Sequence, residues 1–124
     1  MIYGIGVDIV KVARMRRWRE TPGLLRRYFH AHELEAALAK GSSADTSLAA
    51  RFAAKEAYGK ALGTGLKGIA LKDIEVINCR NGRPEMQVHG TALAAFEKSG
   101  ANRIHLSLAH EKDNAVAMVV LEEV

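Results

Sequence analysis

The stretch from Ser47 to Leu62 limits most strongly what this chain can fold into. It is rich in alanine, and it predicts the longest helix of the chain, with Gly63 directly after it as a typical C-cap. Gly59 lies within this helix, although a glycine there costs about 1 kcal/mol relative to alanine. So many small side chains indicate a helix built for close approach, either to another backbone or to a ligand.

The first residues predict a strand from Ile2 to Val10. Its two faces alternate: one carries Ile5, Val7 and Ile9, and the other carries Gly4, Gly6, Asp8 and Val10. The two glycines leave the space beside Asp8 without side chains, which is typical of a strand that another group approaches closely. Asp8 is then expected to face whatever fills this gap. A turn or cap role is the plainer alternative for an aspartate at a strand end.

The rest of the pattern places further helices in the first half and most strands in the second. The predicted helices are one that starts near Lys11, Glu33 to Lys40 and Thr91 to Lys98, and the predicted strands are Leu71 to Ile77, Glu85 to Val88, Ile104 to Leu108 and Ala115 to Leu121. Asn81-Gly82 is a strong hairpin signal. This order predicts an α+β fold with a mostly antiparallel sheet, and residues 1–124 fit a single domain.

The charge of the chain is distributed unevenly. Residues 1–67 hold 12 lysines and arginines against 6 acidic residues, whereas residues 68–124 hold 6 against 8. The excess is densest between Lys11 and Arg27, where seven basic residues face only Glu20. Such a cationic patch predicts an anionic partner, which could be a nucleic acid, a phosphorylated ligand or an acidic protein.

Composition excludes several classes of protein. Hydrophobic residues make up 48% and charged residues 26% of the chain, which fits a globular protein and argues against disorder. No apolar run approaches the roughly 20 residues of a membrane span, and no signal-peptide stretch precedes Asp8. The single Cys79 excludes an internal disulfide and fits the reducing cytoplasm. We therefore predict a cytoplasmic protein without a membrane partner.

Two acidic residues carry the main chemical hypothesis. Phe52, Glu56 and Lys60 share one face of the predicted long helix. The plainer interpretation of Glu56 and Lys60 is a surface salt bridge worth about 0.3–0.5 kcal/mol. If Asp8 meets Glu56, however, the two carboxylates could share Mg²⁺, which commonly takes one or two carboxylates, several waters and substrate phosphate oxygens.

Three further motifs each leave two interpretations. Gly63-Thr64-Gly65 lacks the Walker pattern, and is either a helix end and turn or a loop of backbone donors for a phosphate or an amide chain. His30-Ala31-His32-Glu33 suggests a metal site, but it better fits a helix start with His30 at the cap and Glu33 at the third position. His110 at a strand end is either a turn residue or a base or phosphate contact.

Three segments together resemble a known family. They are Ile5-Gly6-Val7-Asp8-Ile9-Val10, the run from Arg51 to Ala61 with its F-x-x-K-E-A-x-x-K pattern, and Gly63-Thr64-Gly65. Their combination resembles the signature of holo-acyl-carrier-protein synthase, the short type of 4′-phosphopantetheinyl transferase, over nearly the whole chain. The resemblance implies magnesium-dependent transfer of the phosphopantetheine arm of coenzyme A to a serine of apo acyl carrier protein, which releases adenosine 3′,5′-bisphosphate. It also implies a homotrimer with active sites in the clefts between subunits.

The resemblance assigns roles residue by residue. It implies that Asp8 and Glu56 hold the magnesium and that Lys60 neutralises charge on the transferred phosphoryl group, while Glu56, His110 or a metal-positioned water is the general base. The residues implied to contact coenzyme A are Arg51, Lys55, Lys60, Gly63, Thr64, Gly65 and His110. Those implied to bind the acidic recognition helix of the carrier protein are Arg14, Arg17 and Arg26.

A competing hypothesis is a non-enzymatic nucleic-acid-binding domain that uses the arginines of residues 11–27. Its support is the basic first half and an isoelectric point near 9.4. Aromatic residues make up only 6% of the chain, and no aromatic RNA-binding strand or helix-turn-helix spacing is present. We therefore favour the transferase and expect no nucleic-acid partner.

Overall fold

The computed structural model describes all residues, 1–124, and contains five strands and five helices. The strands are β1 (Ile2–Lys11), β2 (Ile74–Asn78), β3 (Pro84–Val88), β4 (Arg103–His110) and β5 (Asn114–Glu122). The helices are α1 (Val12–Arg19), α2 (Leu24–Tyr28), α3 (Ala31–Leu38), α4 (Ala44–Leu62) and α5 (Gly90–Ser99). None of these helices is both long and apolar enough to cross a membrane.

All strand pairs are antiparallel. β5 lies between β1 and β4 in a three-stranded sheet, and β2 and β3 form a separate hairpin. The hairpin turns where Asn81-Gly82 predicted it, because Gly82 supplies a φ of +83°. The α+β prediction, with antiparallel strands and a long packed helix, is confirmed.

Two local predictions differ from the structure. The strand predicted from Leu71 starts only at Ile74, because Leu71–Asp73 forms a 3-10 turn in which Asp73 accepts hydrogen bonds from the backbone and hydroxyl of Thr91 at 2.8 and 2.6 Å. These bonds lower the pKa of Asp73. The short helix α2 was not predicted; it starts after Gly23, whose φ of +78° turns the chain out of α1.

Helix α4 is the centre of the molecule, packed against β1 and β5, and 14 of its 19 residues are buried. Backbone contact explains the glycines of β1. A Cβ atom on Gly4 would lie 1.9 Å from the carbonyl oxygen of Ala61, and one on Gly6 would lie 2.0 Å from that of Ala57. The predicted close approach is therefore to another backbone, and it brings Asp8 against α4.

Replacing Gly6 with alanine should destabilise the protein by about 3 kcal/mol or more, because the added methyl group overlaps rigid backbone and forces β1 away from α4. Urea unfolding measures this loss. Gly100→Ala is the comparison, since Gly100 has a φ of +87° but no atom near its Cβ position, so that only the backbone strain of about 1–2 kcal/mol applies. Equal losses in the two variants would contradict the close-packing explanation.

Aromatic packing holds α1 and α2 on α4. The rings of Trp18 and Phe52 are 4.9 Å apart in an edge-on arrangement, and those of Trp18 and Tyr28 are 5.2 Å apart. Arg14 lies over the same cluster, with its guanidinium carbon 5.0 Å from the Trp18 ring and 5.1 Å from the Phe52 ring. These contacts fix the position of Arg14 relative to α4.

The sheet has an open apolar face on the side away from α4. Ile5, Val7 and Ile9 of β1 are 58%, 52% and 62% exposed, and Met118 of β5, which pairs with Val7, is 46% exposed. A contiguous apolar surface of this kind usually marks an interaction site.

Candidate functional site

Asp8 and Lys60 meet where β1 crosses α4. Asp8 pairs with Ala117 of β5 and so lies on the sheet face that packs against the helix. The Lys60 Nζ donates hydrogen bonds to Asp8 Oδ1 and to the Val7 carbonyl oxygen, both at 3.0 Å. No Glu56–Lys60 ion pair is present. The spacing suggested a salt bridge between Glu56 and Lys60 on the helix surface. In the structure Lys60 instead forms its ion pair with Asp8 of β1.

Glu56 lies in the same cluster, half-buried, one helical turn before Lys60. Burial raises the pKa of the Glu56 carboxyl, and the negative charge of Asp8 raises it further, while Lys60 and Arg14 oppose the shift. The two carboxylates hold like charge in one place, and a divalent cation would relieve the repulsion. The donor set, two carboxylates at a partly open position, fits an ion such as Mg²⁺ that keeps several waters.

A cavity of about 660 Å³ lies on another side of α4 and contains two further predicted residues, Arg51 and His110, together with Lys40. Arg51 is 3% exposed and is held by hydrogen bonds to Ser47 Oγ and Asn78 Oδ1, each 3.2 Å long, and to a backbone carbonyl of β2. Burial lowers the pKa of Arg51, and the negative charges of Glu33 and Glu75 partly oppose this shift. The cavity thus has a basic wall that includes Lys40, a residue predicted only as the end of a helix and marked by no motif as part of a site.

The Asp8 cluster and this cavity lie on opposite sides of α4. Arg51 and Lys60 are nine residues apart, which is about two and a half helical turns, so their side chains point in roughly opposite directions. Arg51 donates a hydrogen bond to the Val76 carbonyl oxygen of β2, whereas Lys60 donates one to the Asp8 carboxylate of β1. No hydrogen bond joins His110 to Asp8, Glu56 or Lys60. Within one chain, the predicted site residues therefore form two separate groups.

The prediction that Lys55 contacts coenzyme phosphates is wrong. Its side chain is 0% exposed, and its three N–H donors go to the carboxylate of Glu33 and to the carbonyls of Leu71 and Ile74. Burial lowers the pKa of Lys55, and Glu33 partly opposes that shift. Lys55 instead ties α4 to α3 and to the start of β2.

The glycine loop after α4 forms the predicted helix end. Gly63 has a φ of +83° and donates its N–H to the Lys60 carbonyl oxygen, and the Gly65 N–H donates to Gly59 at 3.0 Å. A Cβ on Gly59 would lie 2.9 Å from Gly65, so this glycine lets the loop fold back on the helix. Thr64 is exposed at the turn. Contact between this loop and a coenzyme stays a prediction.

The helix start at His30 is confirmed as a capping box. Its Nδ1 accepts the His32 N–H at 3.1 Å, and its own N–H donates to Glu33 Oε1 at 3.0 Å. The deep burial of Glu33, which also accepts the Val76 N–H at 3.0 Å, was not predicted. The capping pattern could not show it, because an N3 glutamate is usually exposed.

The predicted partner-binding arginines lie along α1 and α2. Arg14 lies close enough to Glu56 for its charge to lower the pKa of that carboxyl. Arg17 is exposed on α1, and Arg26 is exposed on α2 beside a cavity of about 600 Å³. Arg14 and Arg17 lie about one helical turn apart on α1, and Arg14 adjoins the Asp8–Glu56–Lys60 cluster.

A model of the 4′-phosphopantetheinyl transferase superfamily matches residues 4–119. The chain therefore belongs to this superfamily, and the resemblance seen in the sequence is confirmed. The holo-[acyl-carrier-protein] synthase of Treponema denticola is 55% identical to it, covering 98% of this chain and 99% of that protein. The corresponding enzyme of Geotalea daltonii is 48% identical, covering 99% and 100% of the two chains.

Solved structures of the same enzyme share the fold. The holo-(acyl-carrier-protein) synthase of Bacillus anthracis in complex with CoA (3′,5′-ADP) is 38% identical with a TM-score of 0.83, covering 100% of this chain and 99% of that one. The synthase of Neisseria meningitidis is also 38% identical, with a TM-score of 0.87 and coverage of 99% and 100%.

Proposed function

We propose that this protein transfers the 4′-phosphopantetheine group of coenzyme A to a serine of apo acyl carrier protein, yielding the holo carrier protein and adenosine 3′,5′-bisphosphate. The observation that carries the proposal is the cluster of Asp8, Glu56 and Lys60, which pairs two carboxylates with an exposed ammonium. The relatives support it, because those that match along their whole length are named as holo-acyl-carrier-protein synthases and one structure contains the coenzyme.

In this proposal, Asp8 and Glu56 hold Mg²⁺, which when bound withdraws charge from the pyrophosphate oxygens. The serine oxygen attacks the β-phosphorus of coenzyme A, the phosphorus–oxygen bond to adenosine 3′,5′-bisphosphate breaks, and the serine proton goes to a base. Lys60 is 54% exposed and so can also contact the transferred phosphoryl group. Glu56, His110 and a water molecule are the candidates for this base.

We infer that the active protein is a homotrimer in which each site is shared between two copies. In a single chain the body of α4 lies between the Asp8 cluster and the Arg51–His110 cavity, so we infer that the Asp8 cluster of one copy combines with the cavity of the next. The open apolar face formed by Ile5, Val7, Ile9 and Met118 offers a surface for such packing. Each copy, residues 1–124, would then act as one domain.

The basic surface on α1 and α2 is the proposed docking site for the acidic carrier protein, through Arg14, Arg17 and Arg26. The nucleic-acid alternative gains no support from the family match. We further propose a role in fatty acid biosynthesis in the cytoplasm, where a lone cysteine such as Cys79 stays reduced.

The direct test is the intact mass of an apo acyl carrier protein after incubation with this protein, coenzyme A and Mg²⁺. We expect a gain of one phosphopantetheine group, and no gain when EDTA removes the metal. A gain that persists in EDTA would contradict the magnesium proposal. No gain on a carrier that another transferase modifies would contradict the transferase proposal itself.

A shared site predicts complementation between two inactive variants. Glu56→Gln removes one half of the site and His110→Ala removes the other. When the two are co-expressed, about one quarter of randomly assembled sites receive both intact halves, so transfer should return to about that fraction of the wild-type rate. Mixed trimers, verified by native mass spectrometry, that remain inactive would show that each site lies within a single chain.

A further inference from the structure

A cluster of three histidines and one buried glutamate lies outside the transferase site. His30 caps α3 and His32 is the second residue of that helix, Glu75 is the second residue of β2, and His89 immediately precedes α5. The cluster therefore joins three elements that are distant in sequence. Neither the Asp8 cluster nor the Arg51–His110 cavity includes any of these residues.

Both carboxylate oxygens of Glu75 point at imidazole rings. Oε2 is 3.7 Å from His30 Nδ1 and 3.8 Å from His32 Nδ1, and Oε1 is 2.9 Å from His89 Nε2. The potential ligand atoms of His30, His32 and Glu75 all lie within 4.8 Å of one another. The Glu75 side chain is only 7% exposed.

A carboxylate this buried needs partners, and the basic residues nearby are already engaged. Lys55 and Arg51 form their ion pairs with Glu33, not with Glu75, and influence Glu75 only at longer range. No backbone N–H donates to either oxygen of Glu75. The histidines are thus the only hydrogen-bond or ion-pair partners of its carboxylate, and only Oε1 makes a hydrogen bond, to His89.

We propose that His30, His32 and Glu75 form a binding site for a transition-metal ion, Zn²⁺ being the best fit, and that His89 holds the carboxylate in place. Imidazole nitrogen with carboxylate oxygen is a donor set typical of zinc. Tetrahedral zinc with bonds of about 2.0–2.1 Å places neighbouring ligand atoms about 3.4 Å apart. The two histidine–glutamate distances need to shorten by a few tenths of an ångström, and the widest separation in the set, up to 4.8 Å, must close further through movement of His32.

The surroundings allow that adjustment. The His32 side chain is 79% exposed and free to move, while the buried side chain of Glu75 is held by the fold. Three protein ligands leave a fourth position for water, as in open zinc sites. An ion bound through His30 Nδ1 would take the lone pair that now accepts the His32 N–H, so metal binding replaces this cap bond.

The site differs in chemistry from the proposed magnesium site. Asp8 and Glu56 offer only oxygen, which suits Mg²⁺, whereas the histidine cluster offers nitrogen, which Mg²⁺ binds poorly. Because the ion would join α3 to β2, its binding should stabilise the folded chain. The positive charges of Arg51 and Lys55 lie close by and oppose a second cation, so we expect micromolar rather than tighter affinity.

The test is Zn²⁺ titration of the purified full chain against a chromogenic chelator, with millimolar Mg²⁺ present to occupy the carboxylate site. We expect one zinc ion per chain and a higher melting temperature. His32→Ala should weaken binding by more than about 10-fold, and His89→Gln by about 10- to 100-fold as expected when a group that orients a ligand is lost. His30→Asn should weaken it as His32→Ala does while keeping a good helix cap.

His105→Ala is the matched control. His105 also pairs with a glutamate, Glu122, at 2.9 Å, but no third ligand stands near that pair, so its loss should leave zinc affinity unchanged. Glu75→Gln removes the carboxylate ligand and should also weaken zinc binding. If this variant does not fold, the zinc affinity of His32→Ala is still a valid test, because His32 is exposed. Zinc binding that His32→Ala leaves unchanged, or no binding at all, would overturn the proposal. The titration contains no coenzyme A and is independent of transfer activity.

Discussion

Replacing Asp8 with asparagine should reduce phosphopantetheine transfer by about 10³-fold while leaving the fold intact. The amide keeps the shape of the side chain and can still accept the hydrogen bond from Lys60, but it removes one of the two negative charges that we propose hold magnesium. The rate of carrier-protein modification, followed by intact mass at saturating Mg²⁺, measures the loss. An unchanged melting temperature would show that the effect is chemical and not structural.

Asp113→Asn is a suitable control, because this exposed aspartate lies in the β4–β5 connection and its replacement should leave the rate unchanged.

A second measurement determines the pKa of the Glu56 carboxyl by NMR. Since the charge of Asp8 helps to raise the pKa of Glu56, that pKa should fall in the Asp8→Asn variant. A variant that keeps a near-normal rate would show that Asp8 does not hold the metal.

Replacing Lys55 with methionine should destabilise the protein by about 3–5 kcal/mol. The change removes the cation that pairs with Glu33 in the core, and it also leaves the carbonyls of Leu71 and Ile74 without their donor. Glu33 is 1% exposed, so water cannot replace the lost partner. Urea unfolding followed by circular dichroism measures the change in the free energy of unfolding.

Lys60→Met separates stability from activity on the same helix. Lys60 is 54% exposed, so its loss should change the free energy of unfolding by no more than about 1 kcal/mol, although transfer should be strongly impaired. Adding Glu33→Gln to Lys55→Met should recover part of the lost stability, because the core then holds no carboxylate without its lysine; the recovery is partial because Arg51 loses its own ion pair with Glu33. A Lys55→Met protein that is stable but inactive would restore Lys55 as a coenzyme contact.

The sequence alone determined the features that depend on nearby residues. Alanine content and Gly63 predicted α4 and its end, and the spacing of His30 and Glu33 predicted the capping box. Alternation along β1 placed Asp8 on the glycine face, which correctly put it against another element. These predictions succeeded because helix caps, strand alternation and glycine conformations are decided within a few residues.

Only the tertiary structure decided which neighbour covers each face. Helix periodicity separates the faces of Lys55 and Lys60, but it cannot show that α3 and β2 bury the first while the second remains exposed beside β1. Likewise, β2 brings Glu75 to His30 and His32 from more than forty residues away. Local spacing fixes the direction of a side chain, whereas its partner and its dielectric environment depend on long-range packing, which is why Lys55 was assigned wrongly and the histidine cluster was missed.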